Sequence, residues 1–341
     1  MKRFFLCRIF EQPFFLMMLE NKIFEIASSE TFEETALAVF RHQYKHTKIY
    51  RTYCDFLGIF EEKVTSIETI PFLPIQFYKS HKIITDGTAF DELFTSSGTT
   101  GNVTSNHYVA DISLYENSFL AGFQKFYGSP KEYAILALLP SYLERENSSL
   151  VYMVNRLIKD SGHIDSGFYL DELPKLAKKL NELEAAGQKT LLLGVSYALL
   201  DLIEAQTFDL KHTIVMETGG MKGRRKEMVK EALHAQLKDG FSVDKIHSEY
   251  GMTELLSQAY SKGDGEFICP PWMKILIRDT DDSLTLVQGK TGGINIIDLA
   301  NLHSCSFLAS EDLGKAHADG SFEILGRFDT SDVRGCNLMV L

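Results

Sequence analysis

Apolar positions along this chain switch repeatedly between a helical and an extended rhythm. From Thr31 to His46 they recur at helical spacing, with Ala36, Val39 and Phe40 on one face, which predicts an amphipathic helix. The run Ile70-Pro71-Phe72-Leu73-Pro74-Ile75 is expected to be extended or irregular, because each proline disfavours the helical region at the residue before it. Tyr133–Leu139 is continuously apolar and stops at Pro140, as a buried strand does. A helix is predicted over Ser148–Lys159, capped by Ser148 or Ser149. A charged amphipathic helix is predicted over Pro174–Ala186, with the proline in the first turn, where no N–H is needed, and Gly187 closing it. Strands follow at Thr190–Gly194 and Thr213–Met216. The second leads into Gly219-Gly220 and a basic helix expected from about Arg224 to Leu237. After Asp279 the texture changes to short strands and turns: Leu284–Val287, a turn at Gly289–Gly293, then Ile294–Ile297.

Alternating strands and helices up to about residue 260 imply an α/β sheet, whose ligands bind beyond the carboxyl ends of the strands. The later strands imply an antiparallel or barrel-like section beside it. No repeat, low-complexity tract or Pro/Gly/Ser linker interrupts the chain. The expected organisation is therefore a helical and extended region over 1–90 packed on a core over 91–278, then a β-rich part with the carboxyl-terminal tail over 279–341, working as one catalytic domain.

Bulk properties narrow the function. A chain of 341 residues buries a substantial core, and its 45% hydrophobic and 24% charged content is that of a soluble globular protein. A net charge of −11 argues against a nucleic-acid-binding surface. Cys7, Cys54, Cys269, Cys305 and Cys336 are odd in number and scattered, with no CxxC pair, which speaks against a disulfide framework or zinc knuckle and for a reducing compartment. The start Met1-Lys2-Arg3-Phe4-Phe5-Leu6-Cys7 briefly resembles a signal peptide, but Arg8, Glu11 and Gln12 break the apolar run and no small-residue cleavage site follows. No segment has the apolar length of a membrane span. A cytoplasmic location is expected, and a true start at Met17 or Met18 would place the first residues outside the protein.

Three short motifs carry chemistry. Thr95-Ser96-Ser97-Gly98-Thr99-Thr100-Gly101 combines two glycines, which let the backbone approach closely, with hydroxyls and N–H groups able to wrap a phosphate oxygen. It is not a Walker loop, since Asn102 follows Gly101 where that pattern has lysine, and standing alone such a heptad is more often an ordinary polar loop. His247-Ser248-Glu249-Tyr250-Gly251-Met252-Thr253-Glu254 offers a ring for a base to stack on, and Thr253 and Glu254 as oxygen ligands for a phosphate-bound Mg²⁺. Alone it also reads as a turn and a helix cap. Ser310-Glu311-Asp312, with Asp319-Gly320 and Gly326-Arg327-Phe328-Asp329 after it, offers a carboxylate for ribose hydroxyls and a guanidinium for phosphate or ribose. A pair of β-turns with a surface ion pair has the same composition.

In this order the three motifs resemble the adenylate-forming superfamily of acyl-CoA synthetases, peptide-synthetase adenylation domains and firefly luciferase, over roughly residues 90–335. The resemblance implies ATP and Mg²⁺, and an α/β fold of mixed sheets flanked by helices plus a small β-rich subdomain. It makes Thr95, Ser96, Ser97, Gly98, Thr99, Thr100 and Gly101 the phosphate loop. Gly219 and Gly220 become the segment along the adenine. Ser248 lies near the adenine or the acyl carboxylate, Tyr250, Gly251 and Thr253 form the adenine and metal motif, and Glu254 is the metal ligand. Asp312 becomes the ribose aspartate and Arg327 the arginine on ribose and phosphate. There are departures: Val103 and Thr104 stand where the loop has Pro-Lys, the segment after Arg327 is about one residue short, and the chain ends at Leu341, where a lid domain with an adenylation lysine would begin.

Within that superfamily the chain is similar to the acyl-protein synthetases of bacterial fatty-acid reductase complexes, which lack the lid. The similarity lies in Ile70–Lys79, in Leu139-Pro140-Ser141-Tyr142-Leu143-Glu144-Arg145 and in the ending Ser331-Asp332-Val333-Arg334-Gly335-Cys336-Asn337-Leu338. It implies that a fatty or other carboxylic acid is adenylated and passed to Cys336, then to a partner such as an acyl reductase or acyl carrier. Arg334 beside Cys336 would favour the thiolate; a packed thiol in a last strand is the other reading of Cys336. Two other functions stay open: an acyl- or aryl-CoA or carrier-protein ligase without its own lid, and a non-catalytic nucleotide-binding subunit. Cys269 and Cys305 are expected to be packed thiols, His107 to be a surface residue or a substrate contact, and Lys222-Gly223-Arg224-Arg225 to be a solvated basic run. His81 and His247 show no metal spacing.

Overall fold

The computed structural model describes residues 16–96, 103–140, 147–170, 172–219, 225 and 228–328. The chain opens with helix α1, residues 16–24. Then come α2 (Ser29–His46), α3 (Lys48–Phe56), β1 (Leu73–Pro74), α4 (Phe77–Ser80), and the hairpin β2 (Glu92–Thr95) and β3 (Asn106–Val109). The central α/β part comprises α5 (Ile112–Tyr127), β4 (Ala134–Leu138), α6 (Ser149–Ser161), β5 (Gly167–Phe168), α7 (Leu173–Ala185), β6 (Thr190–Val195), α8 (Ser196–Ala205), β7 (Thr213–Thr218), α9 (Lys230–Phe241) and β8 (His247–Tyr250). The rest is strand: β9 (Ala259–Ser261), β10 (Glu266–Ile268), β11 (Met273–Arg278), β12 (Leu286–Val287), β13 (Gly292–Asp298), β14 (Phe307–Ala316) and β15 (Phe322–Arg327).

Local chemistry explains most boundaries. Ser28 caps α2 and exchanges hydrogen bonds with Thr31 in a capping box, so the helix starts just ahead of the predicted Thr31. Ser148 caps α6 through the Val151 N–H, as expected. Pro174 sits in the first turn of α7. β4 and β6 are buried at every position, the signature of parallel strands covered on both faces.

Two expectations are corrected. The helix predicted from Arg224 begins at Lys230, because Val229 is extended (φ −66°, ψ 146°) and Arg225 instead turns its guanidinium back to Asp201 and Glu204 of α8. Gly292 and Gly293, expected in a turn, open β13. A Cβ on Gly292 would lie 2.1 Å from the Arg278 carbonyl oxygen, and one on Gly293 2.4 Å from Arg278 Cζ. These glycines are there for a close approach rather than a bend.

The strands join in one hydrogen-bonded path, β12-β11-β13-β14-β15-β10-β9-β8-β7-β6-β4-β5, with β1 added to β14 and β2–β3 apart. Pairings from β5 to β8 are parallel, and from β8 outward antiparallel. The carboxyl ends of β6, β7 and β8 therefore open beside the β14–β15 ribbon. Helix α2 packs on the 301–307 segment. Its Phe40 packs on Tyr50 and Phe307, and buried Gln43 donates to the Asn301 and Leu302 carbonyls while accepting from the Ser306 N–H. With both ends of its amide satisfied, Gln43 fixes the 301–306 loop rather than leaving an orphan dipole in the core.

Candidate active site

Residues from two distant motifs meet at the end of β8. Asp312 and Arg327 are opposite partners in the β14–β15 ladder, and Arg327 Nε donates to Asp312 Oδ1 over 3.1 Å. Tyr250, the last residue of β8, donates its hydroxyl to Asp312 Oδ2 over 2.7 Å. Its ring is packed edge-on by Phe267 and Phe322 and is only 9% exposed, so the hydroxyl is the part the fold commits to the site. Burial, with the Asp312 carboxylate beside it, raises the phenol well above its usual range and keeps it a donor. Arg327 is two-thirds exposed, and its Nη atoms have no partner among the described residues, so one edge of the guanidinium is held while the other faces out. Behind this pair, buried Arg278 donates to the Ile294 and Ser310 carbonyls and the Asn295 amide, and lies 5.5 Å from the Phe328 ring centre. It thus braces the strand before Asp312 and the residue after Arg327.

The base of the β2–β3 hairpin adjoins the Thr253–Glu254 segment. Thr95 N–H donates to the Asn147 carbonyl over 2.8 Å. Ser96 and Ser105 close the hairpin base, with Ser96 N–H on the Ser105 carbonyl and Ser105 N–H on Ser96 Oγ. Ser97, Gly98, Thr99, Thr100 and Gly101 lie outside the described residues. Glu254 is buried; burial raises its carboxyl, opposed by the Ser105 hydroxyl and the charges of Arg327 and Lys79. Thr253 is held by its carbonyl, which accepts from His107 Nδ1 over 2.8 Å. Gly251 leaves β8 with Glu249 Oε1 2.6 Å from where its Cβ would stand, so a larger residue there would have to displace the Glu249 carboxylate. His107 itself is fully buried, correcting the expectation of a surface or substrate-contacting histidine: it lies on the core-facing side of β3.

Gly219 (φ +69°) ends β7, and Gly220 lies outside the described residues. Ser248 is fully buried, its Oγ 3.5 Å from His234 Nε2, in a polar cluster that sequence reading missed. In that cluster Glu217 accepts from Ser196 Oγ over 3.2 Å and faces His234 and Lys230 at 3.5 and 3.3 Å. Burial pushes the Glu217 carboxyl up, but His234, Lys230 and Ser248 outweigh it and hold it at about 2. The only sequence signal was an acid ending an apolar strand, Ile214-Val215-Met216-Glu217.

Cys336 lies outside the described residues. Cys54 and Cys305 are buried and Cys269 is partly so. Burial pushes the Cys54 thiol up to about 12 and those of Cys269 and Cys305 well above their usual range, so these are the packed thiols expected of them. Among the described residues no three His, Cys, Asp or Glu side chains could hold a metal together. A lone buried carboxylate such as Glu254 suits a cation that takes its other ligands from phosphate and water, which is Mg²⁺ chemistry.

Two buried histidines and one half-buried one predict an acid-sensitive fold. Burial lowers His42, His107 and His247 to about 4, with His46 and His303 adding to the effect on His42, and Lys262 and Lys245 to that on His247. Between about pH 6.5 and 4 the unfolded chain binds protons these rings refuse, so stability is full above that window and falls as pH drops through it, by up to ~3 kcal/mol for a fully buried ring. Burial raises Asp298 to about 6, which opposes part of the slope. Urea midpoints at pH 7, 5.5 and 4.5 should fall in that order. His42→Leu should flatten the fall, since His42 Nε2 has no partner to lose; an unchanged slope would contradict the assignment.

The mixed α/β sheet flanked by helices is the fold of adenylate-forming ligases, a class that uses ATP. ATP-bound MatB from Rhodopseudomonas palustris shares the fold with a TM-score of 0.50 and 19% identity over 69% of this chain and 47% of its own, so this chain spans just under half of MatB. An open 2-hydroxyisobutyryl-CoA ligase in complex with 2-HIB-AMP and CoA has a TM-score of 0.63 and 11% identity, over 89% of this chain and 77% of that one. The chain belongs to the LuxE family of acyl-protein synthetases, whose model matches residues 17–341, and it is an acid ligase that activates acyl groups with ATP. A Vibrio harveyi relative, long-chain-fatty-acid–luciferin-component ligase, is 22% identical over 323 residues, 88% of this chain and 84% of the relative. The Photorhabdus luminescens protein of the same name is 36% identical over 70 residues, 20% of this chain and 60% of its own. No helix among the described residues is long and apolar enough to cross a membrane.

Proposed function

We propose that this chain adenylates a long-chain fatty acid and transfers the acyl group to Cys336, from which an acyl reductase or carrier partner takes it. The observation that carries the nucleotide part is the convergence of Tyr250, Asp312 and Arg327 at the carboxyl end of β8. The substrate class rests on the names of the two relatives. A carboxylate oxygen of the acid attacks the α-phosphorus of ATP, the bond to the bridging oxygen breaks, and pyrophosphate leaves. Asp312 would hold the ribose hydroxyls, and Arg327, anchored by Nε, would present its outward edge to phosphate or ribose. Glu254 would hold Mg²⁺, whose charge offsets that of the phosphates when bound. Gly219, Gly220 and Ser248 would border the adenine or the acyl carboxylate, and Thr95–Gly101 the phosphates. The Cys336 thiolate then attacks the acyl carbonyl, the bond to AMP breaks, and the thiol proton passes to solvent. The chain is read as one catalytic unit in which 1–90 packs on the core and 279–341 carries the ribbon and acceptor; a cytoplasmic site of action fits the packed thiols.

Positioning and charge neutralisation supply most of the rate in such displacements. Exchange of labelled pyrophosphate into ATP, measured across a panel of acids from C2 to C18, tests the first step. Acid-dependent exchange peaking at long chains is expected. Tight ATP binding without exchange on any acid would instead make the chain a nucleotide-binding subunit.

A further inference from the structure

His107 is where the phosphate-loop hairpin grips the metal motif. It pairs with Phe94 across the hairpin, two residues from Ser105, and is fully buried. Tyr78 of α4 packs edge-on against its ring at 5.5 Å and is itself fixed by a 2.9 Å hydrogen bond to Ser304 Oγ. The Thr253 carbonyl can only accept, so Nδ1, 2.8 Å away, carries a proton and donates it. Nε2 lies 3.0 Å from Asn301 Oδ1, and Asn301 Nδ2 donates to the Glu254 carbonyl over 2.8 Å. Two successive carbonyls are thus clamped from the same side. The chain beyond is clamped as well, with the Leu255 N–H on the Met252 carbonyl and the Leu256 and Ser257 N–H groups on Asp298 Oδ2.

We infer that His107 is a positioning residue for adenylation: through its Nδ1–H on the Thr253 carbonyl it locks the Thr253–Glu254 backbone to the hairpin, and so aims the Glu254 carboxylate at the root of the phosphate loop. A core histidine needs only a cavity of its shape. This one is the sole described link from a β3 side chain to the backbone of that motif, one residue from the carboxylate that also meets the Ser105 hydroxyl. Without the link the peptide can rotate, and a carboxylate displaced by about an ångström loses much of its effect on a phosphate-bound cation. The inference rests on reading Glu254 as the residue that meets Mg²⁺.

The test is ATP affinity by calorimetry, with Mg²⁺ and with EDTA, on the full chain and on His107→Asn, His107→Gln, His107→Leu and Glu254→Gln, with melting temperatures alongside. Asparagine carries its amide nitrogen near the Nδ1 position and glutamine near Nε2. His107→Asn should therefore stay within about threefold of the native Mg·ATP affinity. His107→Gln and His107→Leu should lose about tenfold with Mg²⁺ and little in EDTA. Equal losses in the asparagine and glutamine variants, tracking their melting temperatures, would make His107 a packing residue and overturn the inference. So would native affinity in all three. If Glu254→Gln loses its Mg²⁺ dependence while the His107 variants keep theirs, only the His107 inference falls. If Glu254→Gln keeps it, the reading of Glu254 falls and takes this inference with it.

Discussion

The Cys336→Ser protein, incubated with Mg²⁺, ATP and a long-chain fatty acid, is expected to show no acyl adduct in its intact mass, whereas the native chain gains one that hydroxylamine removes. A thiolate is nucleophilic near neutral pH, while a serine hydroxyl needs a dedicated base to attack. The described cysteines do not substitute: Cys54, Cys269 and Cys305 are packed, and burial pushes their thiols above the range in which they ionise. If Cys336 is the acceptor it acts after the adenylate has formed, so acid-dependent pyrophosphate exchange should remain within about threefold of native. An adduct that survives in the variant would place the acceptor elsewhere. Exchange without any adduct in either protein would favour the alternative in which CoA or a carrier protein takes the acyl group directly. The mass of the adduct also identifies the acid, which the apolar residues of the chain do not reveal.

Asp312→Ala is expected to lower kcat/KM for ATP in the exchange assay by about 10²- to 10³-fold. The substitution removes the proposed ribose acceptor, and it also orphans the two groups the carboxylate now holds, the Tyr250 hydroxyl at 2.7 Å and Arg327 Nε at 3.1 Å. A buried donor left unpaired costs about 1–3 kcal/mol, and a hydrogen bond to a charged group is worth about 1.5–3 kcal/mol, so two such losses reach that range. Asp312→Asn keeps an acceptor for Tyr250 but loses the charge opposite Arg327, and should fall between native and alanine. Tyr250→Phe leaves Asp312 and Arg327 paired and should cost about tenfold. If Asp312→Ala lowers the melting temperature but leaves kcat/KM within a few fold, the triad is a structural tie and the nucleotide lies elsewhere.

Much of this was legible because it is local. Ser148 caps its helix with its own next turn, Pro174 fits a first turn, and the apolar runs of β4 and β6 announce strands covered on both faces. The order of the Thr95–Gly101, Tyr250–Glu254 and Asp312/Arg327 motifs likewise pointed to an ATP-using acyl ligase before any coordinates, since each motif is a short contiguous piece of chemistry. What the sequence could not express is which elements meet. Tyr250 and Asp312 are 62 positions apart, and nothing in either motif states that the hydroxyl of a ring expected to stack on a base is spent on the Asp312 carboxylate. Glu217, Ser196 and His234 belong to no motif, and it is the parallel pairing of β6, β7 and β8 with the packing of α9 that gathers them at one sheet end. Gly292 and Gly293 read as a turn because only tertiary packing brings the Arg278 main chain and guanidinium against them. His107 read as a surface residue because alternation along a strand tells which residues share a face, and only the docking of the hairpin onto the 253–254 and 301 segments decides which face is inside. Periodicity and capping are set within a few residues of chain, so the sequence alone determined the elements and the class of chemistry. The pairings that turn those elements into a site are set by contacts between segments far apart in sequence, and only the folded structure decided them.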